Sequence, residues 1–169
     1  MATSSAPKTL ISVIIPARNE ERRLPACLQA LAEQDYRGQV QVIVVPNGCS
    51  DSTASVARSH VGRMAPGQTL LVSQEMQAGS KPEALNKGDR LARAGQRVYL
   101  DADALLSSNA LSMMAKALEQ PGIHICAPRR KIKRPVGMAA RCYARVWSSW
   151  PYSTTLDHLC RRVCAFARG

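Results

Sequence analysis

Two aspartates separated by one small residue are the side chains best placed to do chemistry in this sequence. Asp101 and Asp103 flank Ala102 directly after the apolar run Val98–Leu100. Alternate side chains of an extended segment share a face, so both carboxylates can point to one site while Ala102 points away. Such a pair suits Mg²⁺ or Mn²⁺ held jointly with the phosphates of a substrate. A solvated loop at a strand end would contain the same residues, so the pair alone leaves both interpretations open.

The elements that must position this pair alternate between strand and helix signals. Apolar runs rich in β-branched residues predict strands that are buried on both faces, and apolar residues at helical spacing predict the helices between them. The predicted strands are Thr9–Pro16, Gln39–Pro46, Thr69–Ser73, Arg97–Asp103 and Ile123–Pro128. The predicted helices are one that carries Leu24, Cys27, Leu28 and Leu31, one that starts near Thr53 behind a cap at Asp51 or Ser52, then Pro82–Ala94, Asn109–Glu119 and Val136–Trp150.

This alternation defines the expected fold class. Strands and helices joined by short links predict an α/β fold, with a mostly parallel sheet and helices on both faces. Ligands of such sheets bind outside the carboxyl ends of the strands. The loops PARNE and PNGCSD, the segment AGSKPEALN and the DAD triplet each follow a predicted strand. They should converge on one edge of the sheet, which favours a functional role for the aspartate pair. Beyond Pro151 the sequence predicts no further element.

The composition bounds the class of protein. The chain has 169 residues, of which 46% are hydrophobic and 21% charged, as in a globular domain with its own core. No apolar run approaches the roughly 20 residues of a membrane span, and the N-terminal stretch lacks the apolar core of a signal peptide. The six cysteines form no CxxC pair. We therefore expect reduced thiols and a cytoplasmic location, with peripheral contact at the inner face of the membrane as an open alternative.

Positive charge is concentrated near the C-terminus. Residues 120–169 contain 10 Lys/Arg and a single acid, Asp157, whereas residues 1–119 contain 13 Lys/Arg and 11 Asp/Glu. The sharpest run is RRKIKR, Arg129–Arg134. Such a run attracts an anionic membrane surface, a phosphorylated substrate or nucleic acid, although a solvated loop has the same composition. Nucleic acid is the least expected partner, because no aromatic residues interleave with the basic ones.

Three motifs follow one another in an order typical of a known family. They are SVIIPARNEERRLPACLQAL, VIVVPNGCSDST and SKPEALNKGDRLARAGQRVYLDADALLSSNAL, and they cover Ser12 to Leu111. Together they resemble the nucleotide-sugar-binding half of family 2 glycosyltransferases. The resemblance implies a GT-A fold and metal-assisted transfer of a sugar from a UDP- or GDP-sugar to a hydroxyl of a saccharide or lipid-linked acceptor. Neither GxGxxG nor GxxxxGK[ST] occurs, so dinucleotide and P-loop proteins are disfavoured.

The resemblance also implies roles for residues of the first two loops. Pro16, Ala17 and Arg18 would lie near the base and ribose of the nucleotide. Glu20 would accept a hydrogen bond from a hydroxyl. The helix dipole also favours an acidic residue in the first turn of a helix, whether or not a ligand binds. Asn47 would recognise the base at a position where many relatives carry Asp. Its amide offers both a donor and an acceptor, so uracil stays readable.

Four residues of the later motif complete the implied site. Lys81 would pair with a phosphate as a point charge, although a solvated lysine is the alternative. Asn86 would tie its helix to the DAD loop or touch the nucleotide. Asp101 would hold the ribose or help to orient the metal, and Asp103 would be the direct ligand of Mn²⁺ or Mg²⁺.

The C-terminal part departs from the family pattern. Family members continue well beyond this point and carry there the carboxylate that deprotonates the acceptor hydroxyl. Here Asp157 is the only acid after Glu119, and nothing around it matches the motif that bears this base. We therefore expect a flexible tail (1–9), a nucleotide-sugar-binding α/β domain (10–128) and a basic, incomplete acceptor-side segment (129–169). Three functions stay open: an enzyme, a catalytically incomplete donor-binding fragment, or a basic module for membrane surfaces.

Overall fold

The computed structural model describes residues 9–77, 80–128, 137, 138, 142 and 163–167. Three sequence predictions lie outside the described residues: most of the tail 1–9, the basic run Arg129–Arg134, and the greater part of the helix Val136–Trp150. Among the residues described, no helix is long and apolar enough to cross a membrane.

One six-stranded sheet forms the centre of the molecule, with strand order β3-β2-β1-β4-β6-β5. Its first four strands are parallel to one another, and β6 runs antiparallel to both β4 and β5. The prediction of a mostly parallel α/β sheet is therefore confirmed. The strands are β1 Ile11–Ala17, β2 Val40–Pro46, β3 Gln68–Val72, β4 Gln96–Leu100, β5 Ile125–Cys126 and β6 Val163–Ala167.

Two features of the sheet differ from the sequence predictions. Strand β4 ends at Leu100, whereas the prediction extended it to Asp103. The backbone N–H of Ala104 donates to the carbonyl of Asp101 at 3.0 Å, which bends the aspartate pair into a turn after the strand. In addition, β6 was not predicted, and it inserts between β4 and β5, so that the segment 129–169 contributes a strand to this sheet.

Helices cover both faces of the sheet, as the fold class required. They are α1 Leu24–Ala32, α2 Thr53–Ser59, α3 Lys81–Leu91 and α4 Ala110–Leu118. One core cluster joins α1, α2 and α4 to the side of β1 that carries Val13 and Ile15. The second cluster joins α3 to the opposite side of β1, which carries Ile14. Alternation along β1 therefore directs successive side chains into two separate cores.

Close contacts fix α3 and its C-terminal loop on the sheet. At Gly88, a Cβ atom would come within 2.3 Å of Cγ2 of Ile14, so only glycine allows the helix this near to β1. Below the end of α3, the buried hydroxyl of Ser12 donates to the side chain of Gln41 at 2.8 Å and accepts from the backbone N–H of Ala94 at 3.1 Å. These bonds satisfy buried polar groups and set the position of α3, whose N-terminus borders the site described next.

Candidate active site

The loops after β1, β2 and β4 meet the N-terminus of α3 at the carboxyl ends of the parallel strands. They enclose a cleft of about 370 Å³, which we call the carboxyl-end cleft. This is the edge of the sheet at which the sequence placed the functional loops. The cleft is lined by Pro16, Ala17, Arg18, Glu20, Asn47, Ser80, Lys81, Asp101, Ala102 and Asp103.

This lining contains every residue that the sequence analysis placed in the site except Asn86. Asn86 is exposed on α3 and does not border the cleft, so the structure does not bring it to the others. Ser80 was not proposed from sequence, although its spacing to Glu83 is a capping-box signal at the start of a helix. Its backbone N–H donates to the Glu83 carboxylate at 3.0 Å, and this bond helps to fix the N-terminus of α3.

An ion pair crosses the cleft between α3 and the loop after β4. The ammonium nitrogen of Lys81 lies 2.5 Å from Oδ1 of Asp101. The lysine side chain is 55% exposed and the aspartate side chain 22%, so the pair stays in contact with solvent. Asp101 is therefore paired with a lysine whose exposed side chain can still change rotamer.

Burial and the nearby cleft carboxylates together shift the pKa of the Cys27 thiol. Cys27 of α1 is buried, and its Sγ lies 3.8 Å from the carbonyl oxygen of Asp101. Burial, followed by the negative charges of Asp103, Asp101 and Glu20, raises the pKa of the Cys27 thiol to about 12. This thiol is therefore protonated at neutral pH, and it serves as a small core residue rather than as a nucleophile or a metal ligand.

Asn47 lies at the bottom of the cleft with an unsatisfied acceptor. The residue is only 4% exposed, and its backbone N–H donates to the carbonyl of Ala17 at 2.9 Å. Its side-chain oxygen Oδ1 is buried and accepts no hydrogen bond from the residues that the structure describes. A buried amide oxygen without a donor is costly, so this position favours a bound group that brings an N–H or O–H.

Hydrogen bonds between the first two loops hold the walls of the cleft together. The backbone N–H of Glu20 donates to the Thr53 hydroxyl at 2.8 Å, and that of Glu21 donates to Asp51 at 3.2 Å. Asp51 also accepts from the backbone N–H of Thr53, the first residue of α2, at 2.9 Å. A hydrogen bond from the Thr53 hydroxyl lowers the pKa of Asp51. Asp51 is therefore a turn residue, whereas the N-cap position of α2 belongs to Ser52, which makes no side-chain capping bond. Thr53 is a positioning residue that was not predicted from sequence.

The side chains in the cleft that could ligate a metal ion fit one kind of metal site. No group of three or more His, Cys, Asp or Glu side chains able to hold a metal ion occurs within the described part of the chain. The cleft instead offers the carboxylates of Asp101 and Asp103. Mg²⁺ and Mn²⁺ are commonly held by one or two carboxylates together with substrate phosphates and waters. The residues present therefore fit a shared cation and do not fit a closed structural zinc site.

The fold and its cleft define a class of protein. The mostly parallel sheet with helices on both faces matches the GT-A fold of glycosyltransferases whose structures have been solved. A family model described as glycosyl transferase family 2 matches residues 12–167. The chain belongs to this family.

Solved structures share this fold over most of the chain. A mannosyltransferase from Pyrobaculum calidifontis, in complex with GDP-Man and Mn²⁺, superposes with a TM-score of 0.63 at 24% identity, covering 98% of this chain and 46% of that one. Glucosyl-3-phosphoglycerate synthase from Mycobacterium tuberculosis, in complex with Mn²⁺, UDP and glucosyl-3-phosphoglycerate, superposes with the same score of 0.63 at 18% identity, covering 94% of this chain and 57% of that one.

Among curated proteins, similarity extends to the dolichyl-phosphate beta-glucosyltransferase of Drosophila melanogaster. It is 32% identical over 122 residues, which make up 68% of this chain and 37% of that enzyme. For other curated relatives the share of their own length that is covered lies between 12% and 40%. The chain therefore spans less than half the length of these relatives.

Proposed function

We propose that this chain is the donor-binding part of a glycosyltransferase that moves a sugar from a nucleotide-diphosphate donor to an acceptor hydroxyl. The observation that carries the proposal is the carboxyl-end cleft itself. Loops from three separate strands and the start of α3 bring a carboxylate pair, two cationic side chains and a buried, unsatisfied amide into one space of about 370 Å³. A diphosphate joined to a base and a sugar needs all three kinds of partner.

The base is proposed to lie against Asn47. The free Oδ1 of its amide can accept a hydrogen bond, and the ring N–H of uracil (N3) or of guanine (N1) would supply the donor. UDP- and GDP-sugars, which the family resemblance implies, are the proposed donors. The names of the structural neighbours, with UDP in one complex and GDP-Man in another, agree with this choice. The Pro16–Arg18 loop would pack beside the base and ribose.

The diphosphate is proposed to lie at the opposite wall, near Lys81 and the aspartate pair. Asp103 would hold Mn²⁺ or Mg²⁺ directly, and Asp101 would orient the ion or accept a ribose hydroxyl. When bound, such an ion stabilises the negative charge that develops on the diphosphate leaving group. Lys81 and Arg18 would add positive charge on the protein side, and Glu20 would accept a hydrogen bond from a hydroxyl of the donor.

The acceptor side stays a prediction. The sequence assigned no general base, and Asp157, the one acid after Glu119, lies outside the described residues. A saccharide or lipid-linked hydroxyl is the expected acceptor, and the name of the Drosophila relative is in keeping with a lipid-linked one. Peripheral contact of Arg129–Arg134 with an anionic membrane would bring the chain to the surface that carries such an acceptor.

One experiment separates the enzyme from its alternatives. The chain is incubated with UDP- and GDP-sugars and Mn²⁺, and released nucleotide is measured alongside the melting temperature. We expect UDP or GDP to raise the melting temperature, because a ligand that binds only the folded state stabilises it. Nucleotide release above the protein-free blank supports turnover. Stabilisation without release identifies a donor-binding part that lacks its catalytic base, and absence of both effects contradicts the proposal.

A further inference from the structure

The pairing of Lys81 with Asp101 carries an inference that rests on the proposed function and extends it. The lysine ammonium lies 2.5 Å from Oδ1 of an aspartate that is itself a candidate metal-orienting residue. Both residues line the carboxyl-end cleft. We infer that Lys81 is a resident counter-ion of Asp101, which a donor diphosphate must draw away before a divalent cation binds tightly.

Electrostatics makes the two cations compete. Oxygen ligands bind Mg²⁺ at about 2.0–2.1 Å, so an ion shared between Asp101 and Asp103 would sit within a few ångströms of the Lys81 ammonium. A unit charge and a double charge at that separation repel each other strongly, even in a cleft that is open to water. While Lys81 stays on Asp101, the metal site is therefore only partly available.

The surroundings of Lys81 allow it to change partner. Its side chain is 55% exposed and long, so the ammonium can move by several ångströms through rotamer changes alone. Lys81 is the first residue of α3, and the hydrogen bond from the Ser80 backbone N–H to the Glu83 carboxylate fixes the start of that helix. A diphosphate in the cleft would offer the ammonium a second anion of higher charge within its reach. The side chain then moves while the helix does not.

This exchange predicts cooperative binding of metal and nucleotide. Nucleotide removes Lys81 from Asp101 and so improves the metal site, and by linkage the metal improves nucleotide binding by the same factor. Without Lys81, the metal site would be available from the start. The coupling between the two ligands should then shrink, while binding of nucleotide in the absence of metal weakens through loss of a phosphate contact.

The test compares Lys81→Met, Lys81→Gln and Lys81→Arg with the unmodified chain. Lys87→Met is the matched control, because Lys87 lies on the same helix, donates to the carbonyl of Gln74 at 2.6 Å and does not line the cleft. Free Mn²⁺ is followed by electron paramagnetic resonance, with and without UDP or GDP, and calorimetry gives the nucleotide affinity with chelator and with Mn²⁺.

We expect Mn²⁺ alone to bind about tenfold more tightly to Lys81→Met and Lys81→Gln, with a similar drop in the coupling factor. Lys87→Met should behave like the unmodified chain. Lys81→Arg should keep the weak binding of Mn²⁺ alone, because it keeps the positive charge beside Asp101. Unchanged or weaker Mn²⁺ binding in both neutral variants, beside normal metal-dependent nucleotide binding in the unmodified chain, overturns this inference alone. If the unmodified chain itself shows no metal effect on nucleotide binding, the proposed metal site and this inference fail together.

Discussion

At the scale of single residues, the cleft contains polar groups that have partners within the protein and one buried oxygen that has none among the described residues. Asp101 has its lysine, whereas Oδ1 of Asn47 is buried and accepts no hydrogen bond from the described residues. A buried acceptor without a donor costs free energy, and an N–H or O–H of a bound ligand would remove that cost. Asn47 is therefore the residue at which a ligand's donor matters most.

The first prediction tests this residue. Asn47→Ala removes the acceptor and should weaken UDP or GDP binding by about 1–3 kcal/mol, because the N–H of the base is left unpaired in a buried place. Asn47→Asp keeps an acceptor at the same position and should bind more tightly than the alanine variant. Calorimetry measures both, and the melting temperature shows whether the fold is retained. Equal nucleotide affinity in the unmodified chain and in Asn47→Ala would make Asn47 a turn residue only.

At the scale of elements, the position of α3 decides the shape of the cleft. The helix carries Lys81 at its start and lies close to β1 at Gly88, where any side chain would meet Ile14. Glycine is unfavourable in a helix interior, so its presence there indicates a steric requirement. The cleft thus depends on a packing contact two turns away from the residues that line it.

The second prediction concerns this contact. Gly88→Ala would place a Cβ atom 2.3 Å from Cγ2 of Ile14 and should lower the free energy of unfolding by about 1–3 kcal/mol through overpacking, despite the better helix propensity of alanine. Urea unfolding measures the loss. Gly95→Ala is the matched control, since its Cβ would meet nothing within 4 Å. A Gly88→Ala chain as stable as the control variant would show that α3 can shift outward without cost.

Local sequence patterns were sufficient to predict most of the strands and helices of the fold. Strands β1 to β4 follow from apolar runs, helices α1 and α3 from apolar residues at helical spacing, and helices α2 and α4 from candidate capping residues at their starts. The convergence of their loops follows from the rule for parallel sheets. The strand β6 was missed because VCAFA is short and contains two alanines, which are weak strand formers, so its pairing with Gln96–Leu100 and Ile125–Cys126 decides its conformation. The turn at Asp101 was missed because a strand signal does not show where the last residue leaves the sheet.

The contents of the cleft were also predictable only in part. Carboxylates and basic residues near strand ends can be found from residue type and position. The hydrogen bond from Glu20 to Thr53 joins two loops that no local pattern connects, so the supporting role of Thr53 appears only in the folded chain. The same holds for the ion pair of Lys81, because residue type alone does not distinguish a solvated lysine from a paired one.

At the scale of the whole molecule, charge is segregated along the chain. The formal net charge is +11, and most of it belongs to residues 120–169. The described α/β sheet and its cleft lie mainly in the nearly neutral part. This division favours binding of an anionic donor by the cleft and attraction of a larger anionic partner by the basic residues near the C-terminus.

The third prediction concerns the basic run Arg129–Arg134. Vesicles that contain anionic lipid should co-sediment with the chain at low salt, because each basic residue near the surface contributes about 1 kcal/mol, and salt should reverse this binding. Replacing all five basic residues of the run by Gln should abolish most of it. The matched control replaces five exposed basic residues elsewhere: Arg37, Arg58, Arg63, Arg93 and Lys116. Equal losses of vesicle binding in both variants would show that binding depends on net charge and not on this run. Absence of binding at low salt would refute the membrane contact.

The central claim is a metal-dependent donor site at the carboxyl ends of the strands, and one calorimetric comparison tests it most directly. UDP and GDP are titrated into the unmodified chain, Asp103→Ala and the exposed control Asp35→Asn, each with Mn²⁺ and with chelator. We predict that Mn²⁺ tightens binding of one nucleotide by about tenfold or more in the unmodified chain and in the control. Asp103→Ala should lose most of that gain while keeping its melting temperature. Equal affinity with and without metal in the unmodified chain would contradict the account.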